Sequence, residues 1–221
     1  MALKIDDRTL ERIAIVDDDK SVRDTYETSV EELEVEAVNE SGPLPSLDEF
    51  VNAAPARADA AVCDFKLRVK NYANFDGAEL VARWFDRGFP ALLCTKWDRA
   101  SIDELRKYRS RIPVLVRPTD LDPERIVEGL TICIQELAGK HLSSRKSYRT
   151  LVRVEEVTAD RSPYAYVVVP AWNPSEVVRL LMSDIPGSIQ PRVKTDARLY
   201  AEVNLGAESY EDLFFRSWEG Q

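Results

Sequence analysis

Cysteine pairs, histidine and long apolar runs are all scarce in this chain, and each scarcity closes a class of function. The 221 residues include three cysteines and one histidine. Cys63, Cys94 and Cys133 each sit inside an apolar segment, as reduced core thiols do, which excludes a disulfide-stapled scaffold. His141 has no cysteine at ligand spacing, so a structural zinc site is excluded as well. No apolar stretch approaches the roughly 20 residues that a bilayer-crossing helix needs. The opening Met1-Ala2-Leu3-Lys4-Ile5-Asp6-Asp7 lacks the apolar centre of a secretion signal. A cytoplasmic protein with no membrane partner is therefore expected. Basic side chains are also in deficit, 30 Lys and Arg against 39 Asp and Glu for a net charge of −9. That balance disfavours duplex nucleic acid as a partner, because neutralising phosphates takes a local excess of cations. Internal repeats and low-complexity tracts are missing too.

What is present is a rhythm. From Arg12 to Gly139, short apolar runs alternate with longer amphipathic ones, the pattern of parallel strands joined by crossover helices. Strands are expected at Arg12 to Val16, Val35 to Val38, Ala60 to Cys63, Ala91 to Cys94 and Val114 to Val116. Helices are expected at Lys20 to Glu32, Ser46 to Ala53, Gly77 to Asp86, Arg99 to Tyr108 and Pro123 to Leu137. Asp122 followed by Pro123 is an N-cap with proline at the first helical position, which pins the last boundary. Five βα units make an α/β domain over residues 11–139, preceded by a short N-terminal extension, 1–10. A polar linker, 140–149, follows. Residues 150–221 then carry short β-rich runs, Thr150 to Val157, Tyr164 to Val169, Val177 to Leu181, Arg198 to Val203 and Asp212 to Arg216, which suggest a small barrel or rolled sheet. The aromatic residues there, Tyr164, Tyr166, Trp172, Tyr200, Tyr210, Phe214, Phe215 and Trp218, are expected to form its core. A platform for single-stranded nucleic acid is the alternative, weakened by the acidic balance.

Two apolar runs end in carboxylates, Ile13-Ala14-Ile15-Val16-Asp17-Asp18-Asp19 and Ala60-Ala61-Val62-Cys63-Asp64. On parallel strands of one sheet these ends share the edge where ligands of open α/β sheets bind. Carboxylates brought that close repel unless a cation or a proton neutralises them, and oxygen donors suit a hard ion such as Mg²⁺. A competing role is open for the triplet, since acidic residues after a strand also cap the next helix.

In this order the residues resemble the receiver domain of two-component response regulators, a flavodoxin-like doubly wound five-stranded parallel sheet. Asp17 and Asp18 match the family's acidic pair, Asp64 its phosphoacceptor and Thr95 its hydroxyl residue. Arg117-Pro118 stands where the family has Lys-Pro. The resemblance implies that Asp64 takes a phosphoryl group from a histidine kinase or a histidine phosphotransfer protein. It further implies that Asp17, Asp18, Asp64 and the main-chain carbonyl of Lys66 hold Mg²⁺, and that Thr95 and the cation at the fifth strand contact the phosphoryl oxygens. It gives the protein a signalling rather than an enzymatic role, with an output partner protein for the C-terminal part. Receiver domains also often pair into homodimers. No helix-turn-helix, nucleotide-cyclase or methylesterase pattern is visible.

Several residues depart from the family pattern. Arg117 is larger than lysine and planar. Lys96 replaces the usual small residue after Thr95, where it either obstructs transfer or supplies the missing ammonium. Val114 occupies the place of a frequent aromatic switch residue. Lys66 to Phe75 is a long segment with three positive charges, Lys66, Arg68 and Lys70, read either as a lid or as a solvated insertion. Arg117 and Lys96 motivate an alternative, a phosphorylation-independent scaffold that keeps the receiver fold.

Overall fold

The computed structural model describes residues 2–69, 71–96 and 99–220, with the side chains of 99–101 excepted. Tertiary contacts divide the chain into two units, Met1–Trp97 with Arg111–Lys140, and Asp98–Ser110 with His141–Gln221.

The first unit opens with an antiparallel hairpin, β1 (Leu3–Ile5) and β2 (Arg8–Leu10). The stretch read as an extension is thus ordered, and Ile5 and Leu10 join the buried core. Five parallel strands follow: β3 (Arg12–Val16), β4 (Glu36–Glu40), β5 (Ala60–Asp64), β6 (Ala91–Cys94) and β7 (Leu115–Val116), in the spatial order β4-β3-β5-β6-β7. The order reverses between β3 and β5, at the switch point of a doubly wound sheet. The central strands are apolar along their length, since crossover helices cover both faces of a parallel sheet. Helix α1 (Lys20–Glu31) is capped by the Asp19 side chain. Helix α2 (Leu47–Arg57) starts on a Ser46/Glu49 capping box. It runs on past Pro55 to Arg57, beyond the Ala53 end expected from the proline. Helix α3 (Gly77–Asp86) presents a wide apolar face with Leu80, Val81 and Trp84 buried. Helix α5 (Pro123–Leu137) begins on the expected Asp122 cap, whose carboxylate accepts from Arg125 N at 2.7 Å.

The second unit takes α4 (Arg99–Arg106) away from the alternating series and joins it to the C-terminal strands. These are β8 (Tyr148–Val157), β9 (Tyr164–Val169), β10 (Asn173–Leu181), β11 (Arg198–Val203) and β12 (Phe215–Gly220), antiparallel in the order β10-β9-β8-β11-β12. Strands β10 and β12 end that order, so the sheet is open and not closed into a barrel. Its core is aliphatic, built from Val152, Val154, Val167, Val178, Leu180, Leu199 and Val203, while Trp172, Tyr210, Phe215 and Trp218 pack around it. The expected aromatic core is therefore a flank; Phe214 alone of that set is fully buried. The segment read as a linker contains a short 3-10 turn, Ser143–Arg145, with Arg145 buried. The last strand begins three residues later than expected because the main chain before it is used elsewhere. Leu213 O accepts from Arg106, and Phe214 N donates to the Asn204 carboxamide.

Candidate functional site

Register places the candidate residues. Val16 pairs with Cys63, Asp64 with Cys94, and Cys94 with Val116. Asp17 therefore follows β3 level with Asp64, while Thr95 and Arg117 come one step beyond the ends of β6 and β7. The expected edge does gather Asp17, Asp64 and Thr95. Thr95 is buried, with its N–H on Val116 O at 2.9 Å.

The acidic triplet divides its labour. Asp19 is the helix cap, accepting from Ser21 N at 2.8 Å and from Ser21 Oγ at 2.7 Å. Asp17 is 4% exposed, and its Oδ1 accepts from Asp19 N at 2.8 Å. Burial pushes its carboxyl up to about 7, opposed by that hydrogen bond and reinforced by Asp64, Asp18 and Asp19. Burial also raises Asp64, against hydrogen bonds from the Lys66 and Phe65 amides, while Asp18 adds to the rise and the Lys96 ammonium lowers it. Asp64 Oδ2 accepts from Lys66 N at 2.8 Å. Two carboxylates whose ionised forms are disfavoured are groups that gain by meeting a cation. Of the two basic departures, Lys96 is the one whose charge lowers Asp64. Arg117 is exposed and sits at the start of a 3-10 turn, Pro118–Asp120.

Among the described residues no three acidic, histidine or cysteine side chains are grouped as a metal would require. Asp17 and Asp64 bring two carboxylates to neighbouring strand ends, and Mg²⁺ characteristically takes one or two carboxylates and keeps water for the rest. A glycine makes room for this arrangement. A Cβ on Gly77 would stand 1.8 Å from Asp64 O, so α3 starts in contact with the end of β5. The contact is sealed by Gly77 N donating to Phe65 O at 2.9 Å.

The long segment after Asp64 is neither open lid nor solvated insertion. Phe65, Leu67, Tyr72 and Phe75 are buried. Tyr72 reaches the end of β4, where its hydroxyl donates to Glu40 O at 2.5 Å, and its own carbonyl accepts from Leu44 N at 2.7 Å. Its ring fills the space beside Gly42, where a Cβ would come within 2.4 Å. Arg68 pairs with Asp76 at 3.1 Å. Lys66 has its ammonium over the Phe65 ring at 4.4 Å, and Lys70 lies outside the described residues.

Sequence reasoning missed Arg23 and Tyr72. Arg23 is buried, donates to Asp17 O and lies over the Tyr72 ring at 6.0 Å. It braces the main chain that carries the acidic pair. Its only sequence signal was a basic residue in the first turns of an otherwise amphipathic helix. Cys63 and Cys94 are buried as expected of core thiols, and burial pushes Cys94 up to about 12.

No protein-family profile and no curated protein matches the chain. Solved structures do resemble it. NtrX from Brucella abortus is 15% identical over 58% of this chain and 28% of that one, with a TM-score of 0.43. This chain thus spans little more than a quarter of NtrX. A response regulator receiver domain protein from Clostridium thermocellum is 12% identical over 57% of this chain and 96% of that one, with a TM-score of 0.43. The chemotaxis response regulator CheY4 of Vibrio cholerae is 18% identical over 57% and 99%, with a TM-score of 0.40. The likeness is to receiver domains and leaves the C-terminal part unassigned. No helix among the described residues is long and apolar enough to cross a membrane.

Proposed function

We propose that this chain is a cytoplasmic response regulator whose Asp64 accepts a phosphoryl group from a histidine kinase or a histidine phosphotransfer protein. The observation that carries the reading is the pair of carboxylates on neighbouring strand ends, Asp17 buried and Asp64 half-buried, both held away from their ionised form by burial. In the transfer, an Asp64 carboxylate oxygen forms a bond to phosphorus as the phosphorus–nitrogen bond of phosphohistidine breaks, and the electron pair returns to the imidazole. Mg²⁺ held by Asp17 or Asp18, Asp64 and the Lys66 carbonyl would offset the charge of the phosphoryl oxygens. The Thr95 hydroxyl donates to one of those oxygens. The Lys96 ammonium, which already acts on Asp64, takes the part of the fifth-strand cation in preference to Arg117. The C-terminal unit serves as a protein-interaction output, and no enzymatic activity is assigned to it.

Intact-mass measurement after incubation with acetyl phosphate and Mg²⁺ tests this. One added phosphoryl group on the wild type and none on Asp64→Asn is the expected result. No gain on the wild type, or an equal gain on the variant, overturns it. Lys96 also motivates a second reading, a scaffold in which that ammonium neutralises Asp64 permanently. Under it, magnesium leaves the wild type unperturbed and Asp64→Asn keeps full partner affinity.

A further inference from the structure

The main chain at Asp17 is gripped from two sides. Strands β3 and β4 run together with Val16 level with Glu40, so the peptide that carries Asp17 leaves β3 beside the carbonyl of Glu40. Two side chains from other parts of the sequence meet there. Arg23, buried in the first turn of α1, donates through a terminal nitrogen to Asp17 O. Tyr72, from the segment after Asp64, donates its hydroxyl to Glu40 O at 2.5 Å. Burial pushes that phenol up, and the Arg23 guanidinium and the Asp17 main-chain N–H both oppose the rise, so the hydroxyl lies within reach of the Asp17 amide. The guanidinium stands over the Tyr72 ring, 6.0 Å from its centroid, and joins the two halves of the grip.

Neither side chain is loose. Tyr72 is buried, with its ring against Gly42, its carbonyl accepting from Leu44 N at 2.7 Å and its N–H donating to Val69 O at 2.9 Å. The Arg23 main-chain N–H donates to Asp19 O at 3.1 Å, and Asp19 N in turn donates to Asp17 Oδ1 at 2.8 Å. Asp17 is thus held by its carbonyl and its carboxylate, with its amide facing the phenol. A carboxylate ordered in advance loses little freedom when a cation binds to it, so the grip favours binding without touching the cation.

We propose that Arg23 and Tyr72 are positioning residues that act through the Asp17 main chain to hold its carboxylate ready for a divalent cation shared with Asp64. The inference rests on the reading of this edge as a magnesium-dependent phosphoacceptor site. It adds a purpose for the long segment after Asp64, which sends Tyr72 back across the strand ends to brace the other carboxylate.

Mg²⁺ titrated into the full chain tests this, with the Asp19 amide resonance followed by two-dimensional NMR, because that N–H donates to Asp17 Oδ1 and reports on the carboxylate directly. Arg23→Met is expected to raise the Mg²⁺ Kd about tenfold, the lower end of the range for removing a side chain that orients a ligand. Tyr72→Phe keeps the ring, loses only the hydroxyl and is expected to raise Kd by a smaller factor. Arg23→Lys keeps a cation and a donor and should recover part of the loss. Ile134→Val trims the buried core at the last turns of α5, with a modest cost in stability, and should leave Kd unchanged. If Mg²⁺ shifts nothing in the wild type, the reading of the edge fails and the inference fails with it. If the wild type titrates while folded Arg23→Met and Tyr72→Phe bind Mg²⁺ as tightly as Ile134→Val, the reading of the edge stands and the inference is overturned. Should Arg23→Met not fold, the Tyr72→Phe titration alone decides.

Discussion

The two units of this chain bury charge in opposite ways. At the sheet edge of the first, Asp17 and Asp64 accept hydrogen bonds from main-chain amides, and burial makes both costly to ionise, Asp17 the more so for the neighbouring Asp64 and Asp18 charges. In the second, buried and half-buried arginines are tied down by their terminal nitrogens. Arg106 donates to two carbonyls, Arg109 pairs with Asp212 at 2.9 Å, and Arg179 pairs with Asp103 while lying over the Tyr164 ring at 4.6 Å. Arg145 donates to the carbonyls of Arg109 and Ser110 at 3.2–3.3 Å. A buried charge that is paired and hydrogen-bonded holds structure together, whereas one left short of partners is a group waiting for a ligand or a proton. By that criterion the first unit's edge is poised for chemistry, and the arginine cluster of the second is architecture. The exception in the second unit is Asp184, whose Oδ2 is buried and finds no donor among the described residues.

The sharpest way to break this contrast is to remove the arginine with the shortest hydrogen bonds to carbonyls, Arg106. Arg106→Met leaves the carbonyls of Tyr210 and Leu213 without donors and takes a cation from Asp103. It should cost about 3–5 kcal/mol in urea unfolding, the range for stripping one partner from a buried charged group. A loss under about 1 kcal/mol would show that the cluster is not structural. Gly77→Ala attacks the other side. Its methyl meets Asp64 O, and helix or strand must move, at about 1–3 kcal/mol. Because the displaced residue is the proposed phosphoacceptor, phosphoryl uptake from acetyl phosphate should fall by much more than stability does, and proportionate losses would argue against a positioned Asp64.

The contrast also explains what could be read in advance. Buried parallel strands are continuous apolar runs, so β3, β5 and β6 were legible, and the aspartates after them marked the edge without any contact being known. Which member of Asp17-Asp18-Asp19 caps α1 was not legible, because all three have the right chemistry and only the main-chain path selects Asp19. Nor was the allegiance of α4. An amphipathic stripe says that a helix has a face to bury and not what buries it, and Asp103, Arg106 and Arg109 look like solvated charge until their partners on residues 179–213 are seen. The segment after Asp64 misled for a related reason. Its cations suggested solvent, while Leu67, Tyr72 and Phe75, spaced too irregularly for helix or strand, do the packing. Tyr72→Phe tests that packing gently. It removes the hydroxyl from Glu40 O and should cost about 1 kcal/mol, with the loop still closed over the same core.

A pH dependence attaches to the exception itself. Asp184 has its carboxyl raised to about 6 by burial, above its value in the unfolded chain. Between the ordinary carboxylate range near 4 and that raised value, the folded state holds a proton that the unfolded state has released. Stability from this group is therefore fully present only below the ordinary carboxylate range, declines as pH climbs from about 4 toward 6, and is level above it. Asp184→Asn cannot ionise and should lose that slope, so the variant gains on the wild type between pH 4 and 6 and the gap then stays constant. Urea midpoints of both proteins at pH 4, 5, 6 and 7 measure it. A gap that is flat across the series would mean that Asp184 is already compensated in the folded chain. The second unit would then have no exception, and its buried charge would be architecture throughout.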